Sequence, residues 1–232
     1  MLILIEFKKN STLKMELIMF LKKKCPICKK FYSFEFLEAD KRKYFLCTNC
    51  EFIFVPKQFW VSKSEEKSRY EQHQNDSKNK GYITFLSQIS KPIKRFLKEG
   101  SYGIDYGCGP NSVLSEILSE KKLNMTQYDP FFFPIFPKRK FDFLVSTETF
   151  EHFQNPLNEI KRISSIVHAR GIIGVMTAFW EKDKFLKDWH YRRDKTHICF
   201  YTLRTFEYIA EILKFEILYT DKKRIVIFKK SL

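Results

Sequence analysis

Hydrophobic positions change period several times along this 232-residue chain. At Phe31-Tyr32-Ser33-Phe34-Glu35-Phe36 and at Lys43-Tyr44-Phe45-Leu46 they alternate as in strands, and Phe52-Ile53-Phe54-Val55-Pro56 reads as a closing strand. Ser62-Lys63-Ser64-Glu65 is a capping box, so a helix starts there and carries Tyr70 to Asp76 into the polar loop Ser77-Lys78-Asn79-Lys80-Gly81. Phe85, Ile89, Ile93 and Leu97 form the next helical stripe, closed by Gly100, with Pro92 expected to kink or restart it. Tyr102 to Tyr106 is a short apolar strand, followed by a helix with Val113, Leu114, Ile117 and Leu118 on one face. Strands follow at Asn124 to Tyr128 and Phe141 to Ser146. Asn155-Pro156 opens a helix with Leu157, Ile160, Ile163 and Val167 inward, Gly171 ends it, and Gly171 to Thr177 is a buried strand. Thr202 caps a helix with Phe206, Ile209, Ala210 and Leu213 inward, and Phe215 to Tyr219 and Ile225 to Phe228 close the chain as a hairpin. Strands alternating with helices predict an α/β fold with a Rossmann-like sheet.

One connection is too short. Between Asp129 and Phe141 the chain offers only Pro130 to Lys140, while a single parallel crossover needs about a dozen residues. A helix, a third strand and a second helix do not fit there, so the third strand is expected to be absent. The aromatic run Phe131 to Phe136 then covers the sheet edge.

The chemistry gathers at strand ends, where open α/β sheets hold their ligands. Tyr102-Gly103-Ile104-Asp105-Tyr106-Gly107-Cys108-Gly109-Pro110-Asn111 is a strand, a Gly-rich turn and a helix start. Gly107 and Gly109 let backbone approach a ligand, the helix start favours a polar or anionic group, and Asp105 adds an acceptor suited to an ammonium or hydroxyls. Asn111 tolerates a left-handed turn conformation. Asp129, 24 residues past Asp105, ends the second strand where ribose hydroxyls are held. Thr147 and Glu148 follow the Phe141–Ser146 strand, and Glu151-His152 either supplies a general base or orients the loop. Asp188 to Tyr201 packs two His, two Arg, two Asp and four aromatic residues into a stretch too polar for a core. It makes His190 and His197 candidates for acid–base or substrate contacts, against the alternative of a charged surface loop. His73 is either a pocket residue or a solvated surface histidine.

Cys25-Pro26-Ile27-Cys28 and Cys47-Thr48-Asn49-Cys50 are two Cys-x-x-Cys pairs separated by 18 residues, the spacing of a four-cysteine zinc ribbon. All-thiolate ligation leaves no open position, so Cys25, Cys28, Cys47 and Cys50 predict a structural Zn2+.

Taken in order, Cys-Pro-x-Cys, Tyr-x-x-His-x-Asn-Asp, Asp-x-Gly-Cys-Gly-Pro, Tyr-Asp-Pro-Phe, Glu-His and Trp-His-Tyr-Arg-Arg-Asp-x-Thr-His resemble class I S-adenosylmethionine (SAM) methyltransferases that carry an N-terminal four-cysteine ribbon. The last glycine of that family's first motif is Asn111 here. The resemblance covers about residues 65 to 232, with the ribbon as an independent module. It implies a Rossmann-like methyltransferase sheet with an antiparallel last strand inserted beside the sixth. It also implies a SAM site drawn from Asp105, Gly107, Cys108, Gly109, Asp129, Pro130, Phe131, Thr147, Glu148 and His73, with Phe131 to Phe136 against the adenine. His190, His197 and His152 are then the catalytic candidates. The division implied is an extension over 1–22, the ribbon over 23–60, a connecting helix and linker over 61–81, and the methyltransferase domain over 82–232.

A formal net charge of +15 adds RNA as a second candidate partner, since RNA guanine methyltransferases also join a ribbon to this fold. The lysines are spread along the chain, however, and Lys and Phe are enriched together, as an AT-rich coding sequence produces. A small-molecule, sugar or lipid-type acceptor is therefore preferred, with an RNA base, a non-catalytic ribbon adaptor and a dinucleotide-dependent oxidoreductase as alternatives. No run reaches the ~18 apolar residues of a membrane span, and residues 1–22 lack the basic start and small-residue cleavage site of a signal peptide. A cytoplasmic protein is expected; its oligomeric state is not legible.

Overall fold

A computed structural model describes residues 23–72 and 76–232. The expected extension over 1–22, and His73, lie outside the described residues. Among the described residues, ten strands form two sheets. The larger is built from β4 (Tyr102–Tyr106), β5 (Asn124–Tyr128), β6 (Phe141–Thr147), β7 (Val167–Met176), β9 (Phe215–Thr220) and β10 (Ile225–Lys230), in the order β5-β4-β6-β7-β10-β9. The first four run parallel, and β10 lies antiparallel between β7 and β9. Among the described residues β5 is the edge, with no strand beyond it, and the short connection from Asp129 to Phe141 adds none, as its length required. The antiparallel last strand is also present.

The helices are α1 (Lys63–Glu71), α2 (Lys80–Ile93), α3 (Val113–Ser119), α4 (Pro156–Ser165), α5 (Lys182–Leu186), α6 (His190–Arg193) and α7 (Leu203–Leu213). Strand alternation splits the core between the two sheet faces. In β10, Ile225 and Ile227 join Leu86, Ile89, Leu114 and Leu118 of α2 and α3, while Val226 and Phe228 join Phe206 and Ile209 of α7. None of the described helices is long and apolar enough to cross a membrane.

Three local expectations change. The helix after Asn155 stops at Ser165, and Val167 already pairs with Phe141 as the first residue of β7. Gly171 therefore lies inside a strand. The cause is a register shift between Phe141 and Phe143, with Arg170 at positive φ, which lets β7 begin early. Pro92 sits inside α2, which tightens into a 3-10 turn at Lys94–Phe96, so Leu97 falls beyond the helix. Besides Gly107 and Gly109, the left-handed residue of the Gly-rich loop is Ser112, at φ 39°, rather than Asn111.

The cysteine-rich residues do not stand apart. β1 (Ser33–Ala39), β2 (Arg42–Cys47) and β3 (Ile53–Phe54) form the second sheet, and its fourth strand is β8 (Cys199–Phe200), from the far end of the chain. Tyr44, Phe52 and Phe54 share one buried cluster with Phe185, Phe200, Tyr201 and Phe206. Periodicity could not reveal this, because a two-residue strand has no period.

Candidate active site

At the C-terminal ends of β4, β5 and β6 lies a cavity of about 1250 Å3. Its wall includes Gly107, Cys108, Gly109, Asp129, Pro130, Phe131, Thr147, Glu148, His152, His190 and His197. Eleven residues far apart in sequence thus meet in one place, because parallel strands deliver all their exit loops to one edge. Asp105 is not on the wall. It lies beneath the turn, 1% exposed, with Oδ2 accepting from the hydroxyls of Ser112 and Ser115 and Oδ1 without a hydrogen-bond partner among the described residues.

The turn is shaped for close approach. Gly107 and Gly109 have φ of 78° and 67°. A Cβ on Gly109 would meet nothing within 4 Å, so that backbone faces open space. A Cβ on Gly107 would lie 2.2 Å from Thr149 Cγ2, so the turn and the loop after β6 are packed to contact. The helix that follows has only seven residues, so its dipole adds little.

Asp129 ties the turn to the next strand. Its Oδ2 accepts from Gly109 N–H at 3.0 Å, and its Oδ1 accepts from Phe131 N–H at 2.8 Å and Phe132 N–H at 3.2 Å. A carboxylate has about four acceptor sites, which leaves one at Oδ2. That is one acceptor fewer than a grip on two hydroxyls needs. Glu148 has a left-handed backbone at φ 48° and a buried Oε1 without a hydrogen-bond partner among the described residues, and burial, then Glu151, pushes its carboxyl well above the usual range. A strained backbone and an orphaned acceptor on a cavity wall are features of ligand sites.

Burial pushes Asp105 up to about 7. Because the fold favours the protonated acid, its contribution to stability falls as pH rises from about 4 to about 7. Asp105→Asn removes that dependence. In thermal unfolding of the unliganded protein, the variant should gain on the wild type across this window by on the order of 4 kcal/mol. A constant difference between pH 4 and 8 would refute the assignment. His152 acts oppositely: burial, then repulsion from His197, lowers it to about 4, so its contribution is lost as pH falls from about 6.5 to 4.

The three candidate histidines separate. His152 and His197 meet edge to face, ring centroids 4.8 Å apart, whereas His190 is exposed at the start of α6. His152 Nδ1 lies 3.0 Å from the Thr196 carbonyl and His197 Nδ1 lies 2.7 Å from the Tyr191 carbonyl. The expectation that Glu151-His152 orients the loop gains support from that first bond. Of the aromatic run, Phe131 packs against Tyr70 on the cavity wall and Phe136 packs on Tyr128 under the Arg162 guanidinium, while Ile135 is 86% exposed.

Sequence reasoning missed several wall residues. Tyr70 sits edge-on to His152 at 5.1 Å and donates its hydroxyl to Glu66, and Arg69 pairs with Asp194. The Tyr-x-x-His-x-Asn-Asp motif begins at Tyr70 and could have flagged it. Arg42 carried no signal at all. Only 4% exposed, it donates from the ribbon hairpin to the carbonyls of Arg192, Asp194, Lys195 and His197, and Arg192 returns the contact by pairing with Asp40. One guanidinium thus holds the loop that carries His197. Arg42→Ala should cost about 3 kcal/mol in thermal unfolding. Arg42→Lys should not rescue it, because an ammonium lacks the planar fork. An unchanged melting temperature would show that the clamp is dispensable.

In the ribbon, Cys25 Sγ and Cys50 Sγ are 3.7 Å apart and Cys28 Sγ and Cys47 Sγ 3.5 Å, all four sulfurs lying within 4.8 Å of one another. Four sulfurs about 2.3 Å from one ion sit roughly 3.8 Å apart, whereas a disulfide bond is about 2.05 Å. The cluster therefore has the dimensions of a tetrahedral ion cage.

A parallel sheet with a Gly-rich turn after its first strand, an acid after its second and orphaned acceptors at the mouth defines an α/β enzyme with a cofactor cleft. The chain belongs to the SAM-dependent methyltransferases: a family model described as a methyltransferase domain matches residues 72–220. Comparison with curated proteins finds no match. Among solved structures, a Methanococcus maripaludis protein assigned to the SAM-dependent methyltransferases is similar, at 16% identity and TM-score 0.47 over 76% of this chain and 96% of that one. So is magnesium protoporphyrin IX methyltransferase from Synechocystis PCC 6803 with bound SAM, at 15% identity and TM-score 0.45 over 75% and 95%. An O-methyltransferase family protein from Burkholderia thailandensis gives 12% and 0.48 over 72% and 63%.

Proposed function

We propose that the protein transfers the SAM methyl group to a small-molecule, sugar or lipid-type acceptor bound at the His152–His197 end of the cavity. The supporting observation is the cavity's size and charge. At about 1250 Å3 it exceeds the roughly 300–1,000 Å3 of a single-ligand site, so cofactor and a small acceptor fit together. Its arginines are already paired, Arg69 with Asp194, Arg162 with Glu159 and Arg193 with Asp188, which leaves little excess charge for a polyanion.

Bound SAM supplies a methyl carbon activated by its sulfonium leaving group. Gly107, Cys108 and Gly109 would bring backbone against it, Asp129 would accept from one ribose hydroxyl, and Pro130 and Phe131 would wall the base. Asp105 would hold the turn through Ser112 and Ser115, and Thr147 and Glu148 would lie at the methionine end, Glu148 offering its orphaned oxygen. His152 and His197 would position the acceptor, and His190, at the rim, would take up its proton. Cys25, Cys28, Cys47 and Cys50 would hold one structural Zn2+, as suits a reducing, cytoplasmic compartment.

Titration calorimetry with SAM and S-adenosylhomocysteine (SAH) tests the cofactor. Absence of binding would favour a non-catalytic adaptor. Radiolabelled methyl transfer from SAM into fractionated cell extract tests the acceptor, with label expected in the small-molecule or lipid fraction. Label in RNA, together with RNA binding that weakens steeply with salt, would overturn the preference.

A further inference from the structure

Glu151, His152 and His197 each bring one ligand atom within 4.8 Å of the others. They come from two places, the 3-10 turn Phe150–His152 after β6 and the loop after α6. Glu151 is fully buried. Its Oε2 accepts from the Thr177 hydroxyl at 2.8 Å, and its Oε1 has no hydrogen-bond partner among the described residues. An unsatisfied carboxylate oxygen at such depth is costly unless something charged or hydrogen-bonding reaches it. The two imidazoles are anchored alike, each with Nδ1 on a backbone carbonyl. A carbonyl only accepts, so each ring carries its proton on Nδ1 and has its basic nitrogen at Nε2. Carbonyl-anchored imidazoles of this kind are the usual supports of metal-bound histidine.

We propose that Glu151, His152 and His197 form a binding site for a divalent transition-metal ion, separate from the ribbon. Two imidazoles and one carboxylate select zinc, cobalt, iron or manganese over magnesium and calcium, which prefer all-oxygen shells. Metal–ligand bonds of about 2.0–2.2 Å place neighbouring donors roughly 3–4 Å apart, so a side-chain shift of about 1 Å closes the trio on an ion. Three protein ligands leave coordination positions over, and His152 and His197 line the cavity while Glu151 does not. The ion is therefore reachable from the acceptor side and suits an acceptor offering a hydroxyl or carboxylate oxygen. That last step rests on the methyl-transfer reading; the metal site does not.

The test is a Co2+ titration of the full-length, zinc-loaded protein followed by visible absorption. One further Co2+ per chain is expected, with weak ligand-field bands and no thiolate charge-transfer band. His152→Ala and His197→Ala should each weaken that second ion by more than about 100-fold, with thermal unfolding confirming that they fold. Should either alanine variant fail to fold, His197→Gln serves in its place. No second ion at millimolar cobalt, or one indifferent to both substitutions, overturns the proposal. A protein that binds the second Co2+ but no SAH would keep the metal site and lose the methyl-transfer reading.

Discussion

Cys50→Ser is expected to lose the ribbon metal and, with it, far more of the structure than the ribbon. Losing a ligand of a structural zinc costs several kcal/mol. A loss of about 5 kcal/mol would lower Tm by roughly 10–20 °C in a chain of this size. The damage should spread along identified bonds. The Cys50 carbonyl accepts from the Thr205 hydroxyl at the start of α7, the Glu51 carbonyl accepts from the Trp180 indole, and the Val55 N–H donates to the Ile198 carbonyl beside β8. Metal content, thermal unfolding and methyl transfer should therefore fall together in the variant and in wild type treated with a strong chelator. SAH binding should survive better than turnover, because the Gly-rich turn is held by Asp129 and Thr149 and makes no hydrogen bond to the ribbon among the described residues. A chelated protein that keeps its melting temperature would show that the four cysteines do not serve the fold.

Gly107→Ala should abolish measurable SAH binding, with a loss of at least about 100-fold. Two costs coincide at this position. A left-handed φ of 78° costs an L-residue roughly 1–2 kcal/mol. The new Cβ would also stand 2.2–2.8 Å from three side-chain atoms of Thr149, whose hydroxyl holds the turn by donating to the Gly107 and Thr147 carbonyls. The turn must move, and the Gly109 backbone facing the open cavity moves with it. Gly107→Ala combined with Thr149→Ala removes two of those three atoms and should recover part of the affinity, leaving the conformational cost. Equal affinity in the single variant and wild type, measured by calorimetry, would mean that the ligand does not approach the turn.

The four-cysteine cluster and the strand–turn–helix around Gly107 and Gly109 were legible because both are short-range signals. Cys-x-x-Cys spacing closes a knuckle locally, and a Gly-rich turn between an apolar strand and a helix states its own geometry. The missing third strand was legible from chain length alone, since a dozen residues cannot make two crossovers. The stop of α4 was not: Val167 satisfies a helical stripe, and only its pairing with Phe141 makes it a strand residue. The left-handed position was likewise misplaced by one residue, because Ser112 is fixed by its bond to Asp105 and not by its own preference.

What the sequence settled by itself is therefore the family, the parallel sheet and the loops that meet at its edge. Tertiary structure alone decided that the ribbon and the catalytic sheet are one body, because β8 and Arg42 act across some 150 residues of chain and follow no local pattern. It also separated the histidines in space. His190 and His197 look equal in sequence, but packing leaves His190 exposed and sets His197 against His152 and the buried carboxylate of Glu151. Distance in space, which periodicity does not encode, makes that difference.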